Sequence, residues 1–128
     1  MSRKKTDSID SYNLARRCAL SMLSKKGRDV VLLDVRPLTD ITNFFVIGTA
    51  DNDTQLKAMA DAVLDDCSDE GIKPYRTEGW QGRQWIVLDF VEVVVHVMYR
   101  EARDFYKIER LWSDALREEV ADLAEQGQ

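Results

Sequence analysis

The chain has 128 residues, 45% of them hydrophobic and 9% aromatic, which is typical of one globular domain and argues against a wholly disordered chain. Its formal net charge of -5 argues against a general binder of nucleic-acid backbones and suits a basic protein partner. No stretch is long and apolar enough for a membrane span, and the amino terminus lacks the apolar part of a secretory signal, so we expect a cytoplasmic protein.

The first third of the chain predicts an arm, a helix and two strands. Residues 1–7 lack apolar spacing and predict a loose arm. Apolar residues at helical spacing predict a helix over 8–26, capped by Ser8 or Asp7 and stopped by Gly27 in a left-handed conformation. Two short β-branched runs, at 30–35 and 44–47, predict interior strands of a sheet covered on both faces.

The next segment predicts a second helix more clearly than any other. Its apolar residues follow the helical repeat without a miss from Leu56 to Cys67. Asn52 and Gln55 can form its capping box, and Gly71 can end it.

Three further strands are predicted at 75–78, 85–90 and 93–98, the last two joined as a hairpin by Val91-Glu92. A two-residue turn pairs Phe90 with Val93 and creates one purely apolar face. The opposite face of the hairpin then carries Trp85, Val87, Asp89, Val94, His96 and Met98.

The chain after the hairpin predicts a closing helix through Phe105, Ile108, Leu111 and Trp112, which Leu116, Val120 and Leu123 could prolong. The order of elements indicates a single-domain α/β fold, a mixed five-stranded sheet with helices packed on it. We assign the domain to residues 8–114 and a helical extension or tail to 115–128.

Three groups of residues could support catalysis, and each has a simpler interpretation. One is an acidic cluster at the end of the second predicted helix, best interpreted as a solvated helix face: Asp65, Asp66, Asp69 and Glu70. Thr49, Asp51 and Asp53 could hold a divalent metal and a nucleotide, but Asp and Thr are also favoured in the loop before a helix. His96 lies diagonally across the hairpin from Asp89, and we expect a structural hydrogen bond between them because no nucleophile is predicted nearby.

No phosphate-binding loop, dinucleotide fingerprint or zinc ladder occurs in the sequence. Cys18 and Cys67 fall in predicted helices without a further ligand at metal spacing, so we expect buried reduced thiols. We therefore predict no enzyme activity, no metal and no cofactor.

Several ordered motifs resemble the ribosomal silencing factor family, also called Iojap-like or RsfS, over about residues 11–114. They are Asp34-Val35, Thr39 to Ile47, Glu78-Gly79, Trp85 to Asp89, Val93 to Met98, Glu101, Phe105-Tyr106 and Glu109 to Trp112. One departure is Val91-Glu92, where the family usually has Gly followed by an acidic residue.

The resemblance implies a nucleotidyltransferase-like fold without catalytic residues, and a protein that binds the large ribosomal subunit through ribosomal protein fourteen. It further implies that joining of the small subunit is blocked, that translation falls during starvation or stationary phase, and that the free protein can be a homodimer. Two alternatives remain open: a nucleotide or metal binder using Thr49, Asp51 and Asp53, and a dimeric adaptor in ribosome assembly.

The predicted partner-binding residues lie on the polar face of the hairpin and on the helix after it. Aromatic residues and Met are enriched at protein interfaces, and carboxylates can meet the Lys and Arg of a ribosomal protein. The set is Trp85, Asp89, His96, Met98, Glu101, Tyr106, Glu109 and Trp112. For Trp85, Phe105 and Trp112 the competing interpretation is a place in the core.

Overall fold

The computed structural model describes residues 8–121, with side chains described from Asp10 onward. Its elements are α1 (Ser8–Leu23), β1 (Arg28–Asp34), β2 (Phe44–Ala50), α2 (Asp53–Ser68), β3 (Arg76–Glu78), β4 (Trp85–Asp89), β5 (Val93–Tyr99), α3 (Arg100–Tyr106), α4 (Ile108–Leu111) and β6 (Leu116–Glu119). The expected arm at 1–7, the cap from Asp7 or Ser8 and the position of Leu123 lie outside this description. Within residues 8–121, no helix is long and apolar enough to cross a membrane.

The strands form one mixed sheet in the order β3-β4-β5-β2-β1-β6. Strands β2 and β5 are parallel, and every other neighbouring pair is antiparallel. The predicted α/β architecture on a mixed sheet is confirmed. The sheet has six strands rather than the five predicted, because β6 adds to the free edge of β1.

The first face of the sheet is covered by α1 and α2, which bury the apolar side of the hairpin. The predicted register is confirmed, since Ile86 pairs with Val97 and Leu88 with Val95, and the Phe90 N–H donates to the Val93 carbonyl. These inward residues join the main core with side chains from both helices. Alternation along β4 and β5 therefore assigns one side of the hairpin to this core.

The helix ends follow the predicted signals with two local differences. Asn52 accepts the Gln55 N–H at 2.8 Å, but the Gln55 side chain accepts the N–H of Asp51. Gly71 has the expected positive φ of 77°. At the end of α1 it is Lys26 that has positive φ, whereas Gly27 is needed because a Cβ there would lie 2.6 Å from Met59 Cε and 2.9 Å from the Met22 carbonyl oxygen.

The carboxyl-terminal region corrects our prediction of one closing helix with a helical extension. The helix breaks at Lys107, whose left-handed φ of 49° separates α3 from α4. Phe105 and Leu111 are 77% and 78% exposed, so neither closes the core. Residues 116–119 are a strand, held in place because Glu118 accepts hydrogen bonds from the Tyr12 hydroxyl and the Arg16 guanidinium.

Candidate partner-binding face

Aromatic rings form an unbroken row across the second face of the sheet. In order, this ring row consists of Trp112, Phe45, His96, Trp85, Tyr106 and Phe105, with neighbouring centroids 5.0 to 5.9 Å apart. Separations of this size are favourable for aromatic pairs. The row starts half-buried at Trp112 and ends at Tyr106 and Phe105, which are 52% and 77% exposed.

His96 lies buried in the middle of the ring row and is held by Trp85. The indole Nε1–H of Trp85 donates to His96 Nδ1 at 3.0 Å, so the neutral imidazole carries its proton on Nε2. That Nε2 is buried and has no hydrogen-bond partner among the described residues. Burial lowers the pKa of His96 to about 4, which keeps the ring neutral near pH 7.

The predicted His96–Asp89 hydrogen bond is wrong. Asp89 Oδ1 accepts the N–H of Val91 at 2.7 Å, and Asp89 Oδ2 lies 3.6 Å from Arg76 Nε. The Val91 backbone has a positive φ of 77°, a costly conformation for a β-branched residue, and this hydrogen bond helps to hold it. Asp89 is therefore committed to the hairpin turn.

Part of the second face of the sheet is not covered by α3 and α4, and we call this part, together with the Tyr106 ring of α3 that borders it, the open face. It consists of Trp85, Val87, Asp89, Val94 and Tyr106, none of which is fully buried. A shallow depression between Ile41, Tyr75 and Val94 continues it at one end. At the other end, Glu101 and Asp104 flank Phe105 and Tyr106 around a second depression. The open face thus joins apolar and aromatic surface to acidic groups.

Two residues predicted for partner contact are placed differently. Met98 is fully buried beneath the second face, so the expectation of an exposed Met anchor is wrong. Glu109 does not lie at a wet rim, since it accepts hydrogen bonds from Arg103 Nε and Nη2, both at 2.9 Å, and from Arg117 at 2.6 Å. The Arg103 hydrogen bonds lower the pKa of Glu109 to about 2, and Arg117 adds to the effect.

Arg103 is a buried structural residue that the sequence did not reveal. Its Nη1 donates to the Asp29 carbonyl at 2.6 Å and to Thr49 Oγ1 at 2.7 Å. The guanidinium thereby ties α3 to α4 through Glu109, and both helices to β1 and β2. A lone Arg in an amphipathic segment gives no signal of this role, because its partners are up to 74 residues away.

Two of the three residues considered for metal or nucleotide binding are occupied by other partners. Thr49 is buried and accepts the hydrogen bond from Arg103. The Asp51 carboxylate pairs with Arg28 at 2.9 Å and Arg100 at 3.0 Å, while Asp53 is exposed in the first turn of α2. Within residues 8–121, no group of three or more acidic, His or Cys side chains is placed to hold a metal ion.

Comparison with known proteins identifies the family. The family model described as "Ribosomal silencing factor during starvation", RsfS, matches residues 8–128. The chain belongs to the ribosomal silencing factor family. It is 39% identical over 88 residues to ribosomal silencing factor RsfS of Haemophilus influenzae, covering 69% of this chain and 86% of that one. It is 32% identical over 115 residues to RsfS of Bacillus subtilis, covering 90% and 95%.

A solved structure extends the comparison with the family to three dimensions. A crystal structure of a protein from Chromobacterium violaceum has a TM-score of 0.78 and 28% identity, covering 91% of this chain and 98% of that one. The likeness spans nearly the whole of both chains. The family is named for silencing of the ribosome rather than for a catalysed reaction.

The structure brings together four of the predicted partner-binding residues: Trp85, His96, Tyr106 and, through Phe45, Trp112. Asp89 lies at the far end of β4, and Glu101 is exposed in the first turn of α3. The sequence prediction missed Phe45, which it assigned to an interior strand. Phe45 follows the buried Phe44 and so points to the second face, a signal that the strict period of two could have supplied.

Proposed function

We propose that this protein binds the large ribosomal subunit through ribosomal protein fourteen and sterically blocks joining of the small subunit, which represses translation during starvation or stationary phase. Membership of the ribosomal silencing factor family supports the proposal. The structural observation that carries it is the open face, where the ring row leaves a half-buried Trp85 next to an exposed Tyr106. Apolar and aromatic surface of this kind is typical of protein interfaces.

The open face fits a basic protein partner. Glu101 and Asp104 flank the exposed end of the ring row. Lys and Arg side chains of a ribosomal protein could pair with these two carboxylates at the rim while the rings supply the apolar contact. Because exposed charges mainly guide encounter, Glu101 should influence the association rate more than the affinity.

Trp85 is the proposed anchor, and His96 is its positioning residue. The hydrogen bond from Trp85 Nε1 to His96 fixes the orientation of the indole before any partner arrives. An anchor held in its bound orientation loses less conformational entropy on binding. Trp112 and Met98 support the docking face indirectly, because Trp112 packs on Phe45 of the ring row and Met98 fills the core on this side of the sheet.

The proposed mechanism contains no catalytic step, metal or cofactor. The proposal further places the protein in the cytoplasm, allows the free protein to form a homodimer, and involves no contact with membranes or with specific nucleic-acid sequences. The fold is proposed to be related to that of nucleotidyltransferases but to lack their activity. Calorimetry with a nucleoside triphosphate and Mg²⁺ tests the alternative, and saturable binding there would favour a nucleotide-binding role.

Pelleting with purified large subunits tests the proposed docking face. Tyr106→Ala and Phe105→Ala remove exposed rings and should weaken binding about tenfold, and Trp85→Ala should cost roughly 2 kcal/mol or more. The matched control is Leu20→Ala, which truncates an exposed apolar residue on α1, in the helix layer on the other side of the sheet. Thermal melting of each variant separates lost contact from lost folding.

The pattern across the four variants decides the outcome. The proposal expects Leu20→Ala to bind as the unmodified protein does, and the ring variants to bind more weakly while remaining folded. If Trp85→Ala, Tyr106→Ala and Phe105→Ala all stay folded and bind with unchanged affinity, the docking face lies elsewhere. A large fall in melting temperature for Trp85→Ala alone would assign that residue to the core.

A further inference from the structure

The two cysteines meet in the contact between α1 and α2, on the first face and away from the ring row. Cys18 Sγ and Cys67 Sγ are 3.9 Å apart, and both residues are fully buried. This separation is that of a thiol–thiol hydrogen bond and is wider than a disulfide of about 2 Å. The structure therefore contains a reduced dithiol between two helices.

Polar pairs on either side fix the register of the two helices around this dithiol. Arg17 Nη2 lies 2.7 Å from Glu70 Oε2, and the Ser21 hydroxyl donates to Asp66 at 2.5 Å. As the residue number rises along α1 from Arg17 to Ser21, that of the partner falls from Glu70, in the turn after α2, to Asp66 within α2, so the helices are antiparallel here. The sulfur atoms are thus held opposite each other and need only approach by about 2 Å to bond.

We propose that Cys18 and Cys67 are a modification site for hydrogen peroxide, at which oxidation forms a disulfide that cross-links α1 to α2. The Cys67 thiolate attacks one oxygen of the peroxide and the O–O bond breaks. The departing hydroxide takes up the proton that the Cys67 thiol gave up, so the first water leaves and a sulfenic acid remains on Cys67. The Cys18 sulfur then attacks the Cys67 sulfur, the S–O bond breaks, and the Cys18 proton leaves with the second water. The two sulfurs give up two electrons, which reduce the peroxide to two waters.

The surroundings assign the first step to Cys67. The hydrogen bond that Cys67 shares with Cys18 lowers the pKa of the Cys67 thiol, and nearby Arg17 adds to this while burial opposes it. Cys67 also lies in the last turn of α2, next to the exposed residues Ser68 and Asp69, where opening of the helix end can admit a small oxidant. Cys18 lies within α1 and is suited to the resolving role.

The cross-link should stabilise the fold without altering the open face. A disulfide between residues 49 apart in sequence restricts the unfolded chain, and the bond lies on the opposite side of the sheet from the ring row. We therefore expect the oxidised protein to melt roughly 5 to 15 °C higher and to bind large subunits as the reduced protein does.

Intact-mass measurement tests the proposal, after the folded protein has been treated with hydrogen peroxide and then alkylated in urea, where buried thiols become accessible. We expect the monomer to lose the mass of two hydrogens, resist alkylation, and recover both thiols after dithiothreitol. Cys18→Ala should stop at a sulfenic acid on Cys67 that dimedone traps. The matched control Leu20→Ala truncates an exposed residue of α1 that belongs to neither polar pair, and it should still form the disulfide.

The wild-type measurement does not depend on any variant folding. The proposal is overturned if both thiols can still be alkylated in urea after the folded protein has met a peroxide dose that oxidises the urea-unfolded chain. A disulfide that links two chains, or one that lowers the melting temperature, overturns it equally. None of these outcomes bears on ribosome binding, so this site and the proposed function can fail separately.

Discussion

Replacement of Arg103 by Ala should destabilise the protein by about 3 kcal/mol. The Arg103 side chain is 9% exposed, and its guanidinium makes hydrogen bonds to Glu109, Thr49 and the Asp29 carbonyl. Its loss leaves the Thr49 hydroxyl and the Asp29 carbonyl without this donor, and Arg117 as the remaining partner of the Glu109 carboxylate. We place the cost at the lower end of the range for a broken buried ion pair because Arg117 still reaches Glu109.

The loss should be visible in α3 and α4. These helices have seven and four residues, too short to be stable without tertiary contacts. Urea unfolding followed by circular dichroism gives the free energy, and the thermal midpoint should fall by roughly 10 °C. The control is Arg110→Ala, an exposed arginine in α4, which should change stability by less than about 0.5 kcal/mol.

A double variant separates a lost interaction from a stranded charge. Arg103→Met with Glu109→Leu removes both members of the pair, so it should cost less than Arg103→Ala alone. If Arg103→Ala unfolds at the same urea concentration as Arg110→Ala, the network does not hold the two helices and the reasoning is wrong.

Two further perturbations follow from the same contacts. Burial lowers the pKa of His96 from 6.5 to about 4, so protonation of this residue favours the unfolded chain. The free energy of unfolding should therefore be highest above pH 6.5 and should decrease by up to about 3 kcal/mol as the pH falls towards 4. His96→Gln should flatten the unfolding free energy across that window, and an unchanged slope would contradict this assignment. Asp51→Ala with Asp53→Ala removes surface ion pairs and a first-turn carboxylate, so it should cost about 1 kcal/mol and leave ribosome binding intact. A folded double variant that no longer pellets with large subunits would restore the metal hypothesis.

The parts of the fold predicted correctly are those whose partners are near in sequence. The register of β4 and β5 follows from a two-residue turn and strict alternation, even though the turn requires Val91 at positive φ. Helix α2 carries its own start and stop signals in Asn52 and Gly71. Such local rules need no knowledge of the rest of the chain.

The errors arose where distant contacts decide the structure. Leu116 and Val120 have helical spacing, yet the segment is a strand because β1 offers a free edge and Glu118 meets Tyr12 and Arg16 from α1. Edge pairing of this kind overrides local propensity.

The sequence predicted which residues share the candidate face but not how their side chains pair. The hairpin register was correct, so Trp85 and His96 were predicted on the same face. Whether His96 would pair with Asp89 or with Trp85 depends on side-chain rotamers, which alternation does not specify. The burial of Met98 depends on where α3 packs, which the hairpin alone does not determine.

Subunit joining measured by sucrose-gradient sedimentation tests the central claim most directly. Purified small and large subunits are mixed under joining conditions with and without an excess of this protein, and the gradient fractions are assayed for joined ribosomes and for the protein itself. The account predicts a lower yield of joined ribosomes, with the protein in the fractions of the free large subunit. An equal yield of joined ribosomes, with the protein still bound to the large subunit, would contradict it.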